Sequence, residues 1–106
     1  MNEISIIQGD SYEATLEISG LTNVSIVDKC VFSSSYLEIC KELNLSSADE
    51  AKYILSFTAE ETAKMKPSIS DFDITLFFAD DSVATVIYKG TIKILDKKNK
   101  VMCYNG

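Results

Sequence analysis

The side chains best equipped for chemistry are two carboxylate pairs, Asp71/Asp73 in "DFDITLFF" and Asp80/Asp81 in "ADDS". Acid pairs perform proton transfer when one member is desolvated, or hold calcium when several oxygens converge. Alternation puts Phe72, Ile74, Leu76 and Phe78 on one side of a strand, which leaves Asp71 and Asp73 facing solvent. Asp80/Asp81 lacks the further ligands of a calcium loop, so turn formation is its expected role. The hydroxyls of Ser33–Ser35 have no base to activate them: the chain contains no histidine, no G-x-S-x-G and no phosphate-cradling glycine loop. Cys30, Cys40 and Cys103 are an odd number without C-x-x-C spacing. They are expected to be free, buried or half-buried thiols in a reducing compartment, not a zinc shell. No catalytic residue, cofactor or metal site is expected, and the chain does not read as an enzyme.

Composition narrows the partners. The 106 residues suit one domain, 1–106, large enough to bury roughly two-thirds of its unfolded surface without a disulfide or metal. Ten cations stand against sixteen acids, for a net charge of −6. All ten cations are lysine, so no bidentate arginine fork is present to read phosphate or guanine, and nucleic acid is not an expected partner. Five of these lysines lie between Lys89 and Lys100, which reads as a solvated basic turn. No apolar run approaches the ~20 residues of a membrane span. The opening "MNEISIIQGD" lacks the lysines and the long apolar stretch of a secretory signal, so export by that route is not expected.

Strand periodicity dominates. Ile4–Ile7 is a short strand ended by the Gly9-Asp10 turn, and "SYEATLEIS" alternates Tyr12, Ala14, Leu16 and Ile18 against Glu13, Thr15 and Glu17. Further strands read at "KCVFSSS", "KYILSF" with Tyr53, Leu55 and Phe57 on one face, "DFDITLFF", and "VATVIYKGTIKIL", where Lys89-Gly90 marks a bulge or bend. "VMCY" is a candidate last strand. The segment Tyr36–Leu43 fits one or two helical turns as well as an extended chain. In "ILSFTAEETAKM", Thr58 and Glu61 form a Thr-x-x-Glu capping box, Glu60 and Glu61 favour the start of a helix, and Pro67 stops it. This predicts a short helix near 59–66, packed through Ala63 and Met65, closing the end of a sandwich where the chain passes between sheets. About seven strands with turns every ~8–15 residues and no βαβ rhythm predict an antiparallel β-sandwich or Greek-key barrel.

Val31, Ile54 and Phe77 are apolar on faces that the alternation assigns to the outside. Either another element covers them or they form a protein-contact surface, which would support self-association or assembly.

The segments "IIQGDSYEATLEI", "ILSFTAEETAKM" and "DFDITLFFADDSVATVIYKGTIKIL", in this order, resemble the N-terminal domain of upper baseplate and related tail or fibre proteins of tailed phages and prophages. The positions that carry the resemblance are Gln8, Gly9 and Asp10; Thr58, Glu61 and Thr62; Phe72, Asp73 and Ile74; and Gly90, Thr91 and Ile92. It spans most of the chain, and its motifs are strand and turn punctuation, which specifies fold better than activity. The resemblance implies an immunoglobulin-like sandwich that assembles with other phage structural proteins or with itself, in the virion or in the host cytoplasm during assembly. Members of that family often continue into receptor-binding or oligomerising regions, which these 106 residues do not include. Two rival expectations stand beside it. A small acidic protein can inhibit a host protein by pairing with a basic surface, although the acids here are dispersed along the chain. A carbohydrate-binding module suits the architecture too, but with tyrosines as its only stacking platforms, since tryptophan is absent.

Overall fold

The structure, a computed structural model, describes residues 2–21 and 23–97. Seven strands follow one another as β1 (Glu3–Ile7), β2 (Tyr12–Glu17), β3 (Val27–Ser34), β4 (Ile39–Ser47), β5 (Lys52–Phe57), β6 (Ser68–Phe78) and β7 (Val83–Leu95). A 3-10 turn at Val24–Ile26 precedes β3, and a five-residue helix, α1 (Ala59–Ala63), lies between β5 and β6. The candidate strand at "VMCY" lies outside the described residues.

Hydrogen bonding orders the strands β1-β7-β6-β3-β4-β5-β2. The long fourth strand belongs to both layers: Ile39–Leu43 pairs with β3, and Asn44–Ser47 pairs with β5. One layer is therefore β1, β7, β6, β3 and the first half of β4; the other is the second half of β4, β5 and β2. This is an immunoglobulin-like Greek-key sandwich, with one departure from the expected antiparallel pattern. β1 pairs in parallel with the second half of β7, from Glu3↔Thr91 to Ile7↔Leu95. The reason is local. Gly9, at φ +88, turns the chain from β1 straight into the opposite layer, so β1 cannot form a hairpin with β2 and takes the free edge of β7 instead.

The side chains that alternation points inward do make the core. Cys30 and Phe32, Phe72, Ile74 and Leu76, Ile92 and Ile94, and Ile4 and Ile6 from one layer meet Leu16, Tyr53, Leu55 and Phe57 from the other. Phe32 is the hub: it stacks on Phe72 at 5.3 Å and meets Phe57 of the opposite layer edge-on at 5.6 Å.

The capping box forms as its spacing predicts. Thr58 Oγ1 accepts from the Glu61 amide, and Glu61 Oε1 accepts from the Thr58 amide at 2.8 Å. The helix is shorter than the expected 59–66, ending at Ala63 with Lys64 as its cap; it carries the chain from β5 in one layer to β6 in the other and covers part of one end of the sandwich. Its anchors differ from those expected: Met65 is buried, but Ala63 is exposed, and Thr62 is the fully buried residue of α1. The Tyr36–Leu43 ambiguity resolves as a tight turn followed by β4. Glu38 sits at φ 56, a left-handed conformation no helix can continue through, and the Ser34 hydroxyl accepts from the Leu37 amide at 3.5 Å.

Candidate contact surfaces and the cleft beside the helix

Two of the four candidate carboxylates, Asp73 and Asp80, hold the backbone in place. Asp73 Oδ1 accepts from the Lys89 amide at 2.8 Å, which holds the bulge where Lys89 takes φ 52 just before Gly90. Asp80 accepts from both the amide and the hydroxyl of Ser82, and these bonds hold its carboxyl below the usual range while they close the β6–β7 hairpin. Asp71 is exposed, and its carbonyl accepts from the buried Ser34 hydroxyl at 3.0 Å. Among the described residues, no group of three or more acids and thiols converges as a metal site would require. Burial pushes the Cys30 thiol up to about 12, so it packs as an inert hydrophobe. Cys40 departs from the expected burial and is exposed on β4.

The three outward apolar residues divide into two places. Val31 and Phe77 share the outer face of the first layer: Val31 lies opposite Thr75, and Phe77 lies opposite Lys29 and Val83. Lys29 Nζ sits 5.2 Å from the centre of the Phe77 ring, and Val83 beside it is exposed. Ile54 lies on the outside of the second layer, between Thr15 and Asn44. A single surface formed by all three does not exist, because the sandwich stands between them. All three are half-buried.

The punctuation residues do converge. Gln8 Nε2 donates to the Met65 carbonyl at 2.9 Å, just past the C-terminal end of α1. The Thr62 hydroxyl accepts from the Gly9 amide at 3.0 Å and donates to the Asp10 carbonyl at 2.7 Å. The Gln-Gly-Asp turn and the helix are thus latched together through a buried hydroxyl. At the other motif, a Cβ on Gly90 would stand 2.6 Å from the Phe72 ring, so the glycine is what lets that ring lie against β7.

Beside α1 the sandwich end is not fully closed. Two adjoining hollows of about 280 and 260 Å³ share Leu37, Glu38, Lys64 and Met65. One wall is the Ser35–Glu38 turn, which presents an exposed Tyr36 ring; the other is the helix end, with Lys64 and Lys66. The inner side is pinned by Lys41, whose ammonium contacts both carboxylate oxygens of Glu61 at 2.8 and 2.7 Å and lies 5.4 Å from the Phe57 ring centre. That ammonium, aided by the Thr58 amide, holds the Glu61 carboxyl below its ordinary range. Among the described residues no ion pair joins Glu38 to Lys64 or Lys66; Lys64 reaches only Glu60, at 3.8 Å, with both side chains well exposed. Holding Glu38 left-handed costs about 1–2 kcal/mol, a position glycine would occupy without strain.

No protein-family model matches the chain, and no curated protein sequence matches it. Its fold has a solved counterpart. The chain superposes, over 91% of its length, on part of a Bacteroides vulgatus protein whose crystal structure bears the name "putative glycoside hydrolase", with TM-score 0.51 and 10% identity. The chain spans 17% of that protein's length, so the shared unit is one β-sandwich of a much larger molecule. At this identity the likeness concerns architecture alone.

The cleft was not legible in the sequence. Tyr36 and Glu38 lie in a segment whose spacing fits helix and extended chain equally, and the left-handed backbone of Glu38 has no glycine or asparagine to announce it. The Gln8–α1 and Thr62–Gly9 bonds join residues more than fifty positions apart, which no local pattern encodes.

Proposed function

We propose that this domain is a non-enzymatic structural or assembly module of a tailed phage or prophage, baseplate- or tail-associated, that works through protein–protein contacts. The observation that carries this reading is the use made of the motif residues. Gln8, Gly9, Thr62, Asp73 and Gly90 are all spent on latching turns, bulges and helix to the sandwich, as expected of a scaffold. None of these five lines the cleft beside α1; Glu61, the motif residue that does, has its carboxylate taken up there by Lys41 and the Thr58 amide. The outer face of β3, β6 and β7 supplies the contact surface, with Phe77 in register between Lys29 and Val83, Val31 two residues along β3 from Lys29, and the Lys29 ammonium 5.2 Å from the Phe77 ring centre. Ile54, on the opposite layer, belongs to a separate and smaller contact.

The test uses the virion. Mass spectrometry of gradient-purified particles from a lysogen carrying the gene should detect the chain at stoichiometric levels. Val31→Asp together with Phe77→Asp, both at half-buried outer positions, should reduce its incorporation while leaving the isolated domain folded. Absence from purified particles refutes the virion assignment. Unchanged incorporation of the double variant refutes the assigned face.

A further inference from the structure

We propose that the cleft between the Ser35–Glu38 turn and α1 is a saccharide-binding site, separate from the protein-contact face and independent of the assembly reading. Glu38 lines one wall, Lys64 and Lys66 line the other, and no ion pair spans the gap. Like-charged Glu61 is already occupied by Lys41, so among the described residues Glu38 is the carboxylate of the cleft that carries no ion pair. A ligand of one charge sign meets repulsion from one wall. A neutral group that both donates and accepts meets none, and a sugar hydroxyl does so on one atom, donating to a carboxylate while accepting from an ammonium. A polyhydroxylated ring lying across the cleft satisfies both walls.

The apolar parts fit the same ligand. Tyr36 presents its ring with 61% exposure on a tight turn, while Leu37 and buried Met65 form the floor between the walls. A pyranose has a face of C–H groups that packs on such surfaces, with its hydroxyls projecting at the rim. The hollows of about 280 and 260 Å³ share Leu37, Glu38, Lys64 and Met65, so together they form one shallow groove open to solvent. The backbone supports the assignment. Glu38 is held left-handed at the end of the turn, and its amide donates to the Ser35 carbonyl at 3.2 Å, which fixes its place on the wall. The turn itself is fixed from below by Ser34, whose hydroxyl bridges the Leu37 amide and the Asp71 carbonyl, so Tyr36 and Glu38 are preorganised.

The experiment is an amide chemical-shift titration of the ¹⁵N-labelled chain with maltotriose, cellotriose and tri-N-acetylchitotriose in turn. At least one should produce saturable shifts confined to the 36–39 turn and residues 61–66. Tyr36→Ala, at an exposed position, should weaken that binding about ten-fold. Glu38→Gly should weaken it as strongly while raising the urea midpoint, since it removes both the carboxylate and the strained backbone. Val31→Asp/Phe77→Asp should bind like the wild type. The proposal is overturned if all three sugars leave these amides unmoved at millimolar concentration, if shifts scatter over the surface, or if Tyr36→Ala binds normally. Shifts of the same amides with the tripeptide Gly-Phe-Gly and not with the sugars assign the cleft to peptide and overturn it as well.

Discussion

Replacing Gly90 by alanine adds one methyl group where there is no room for it. The new Cβ would stand 2.6 Å from Cε1 and Cζ of Phe72 and 3.1 Å from the Asn2 carbonyl oxygen. Gly90 is not held left-handed, so the penalty is one of space and not of backbone conformation. The Phe72 ring cannot easily retreat, because it is 1% exposed and stacked on Phe32 at 5.3 Å. The Asn2 carbonyl is fixed too, since it accepts from the Thr91 amide at 2.9 Å. Overpacking of this kind costs about 1–3 kcal/mol. With a urea m-value of about 1–3 kcal/mol/M for a domain this small, the midpoint should fall by roughly 1 M. Equilibrium urea unfolding followed by circular dichroism reads this directly. A second variant isolates the cause: Phe72→Leu removes the ring, so Phe72→Leu/Gly90→Ala should cost less than the sum of the single changes by about 1 kcal/mol. A Gly90→Ala protein within about 0.5 kcal/mol of wild type, or strictly additive single changes, refutes the argument that this glycine exists to seat the ring.

The latch gives a second expectation. Thr62→Val keeps the shape but strands the Gly9 amide and the Asp10 carbonyl without their partner, which should cost about 1–3 kcal/mol in urea unfolding, with Thr62→Ser retaining most of the stability. Acid should loosen the helix through Glu61. Its folded-state pKa lies below the unfolded value near ~4.3, so its contribution is present above that value and is lost as pH falls through the lower one. Accordingly, Lys41→Met should flatten the slope of stability against pH below about 4.3, and an unchanged slope would exclude the Lys41–Glu61 pair as its source. In a Cys103→Ser background, Ellman's reagent should titrate Cys40 at once and Cys30 only on unfolding; prompt reaction of both thiols would contradict the packing described.

The legible features were those written in local spacing. Inward alternation identified Leu16, Leu55, Phe57, Phe72, Ile74 and Leu76 as core because a strand repeats every two residues and only one face can be buried. The capping box worked for the same reason: its bonds close within three residues. What alternation cannot give is which outer faces coincide. Val31, Ile54 and Phe77 each read correctly as outward, yet strand order decides that two share a face and the third does not. The parallel β1–β7 pair was hidden for the same reason, since its partners lie some ninety positions apart. Ala63 lost its place to Thr62 because a residue with hydroxyl bonds to both Gly9 and Asp10 belongs inside, while a five-residue helix has no amphipathic period long enough to reveal its buried side.

The shared direction of β1 and β7 bears on how the domain would carry load. A pull applied between Asn2 and Lys97 draws the two strands past each other along their length, so the register pairs from Glu3↔Thr91 to Ile7↔Leu95 resist together instead of opening one by one. The Glu3–Lys93 ion pair at 3.0 Å and the Asp10–Lys97 ion pair at 2.7 Å lie along the same seam. Tension transmitted through this chain therefore meets a shear clamp, whereas the antiparallel β6–β7 hairpin beside it would unzip from its ends.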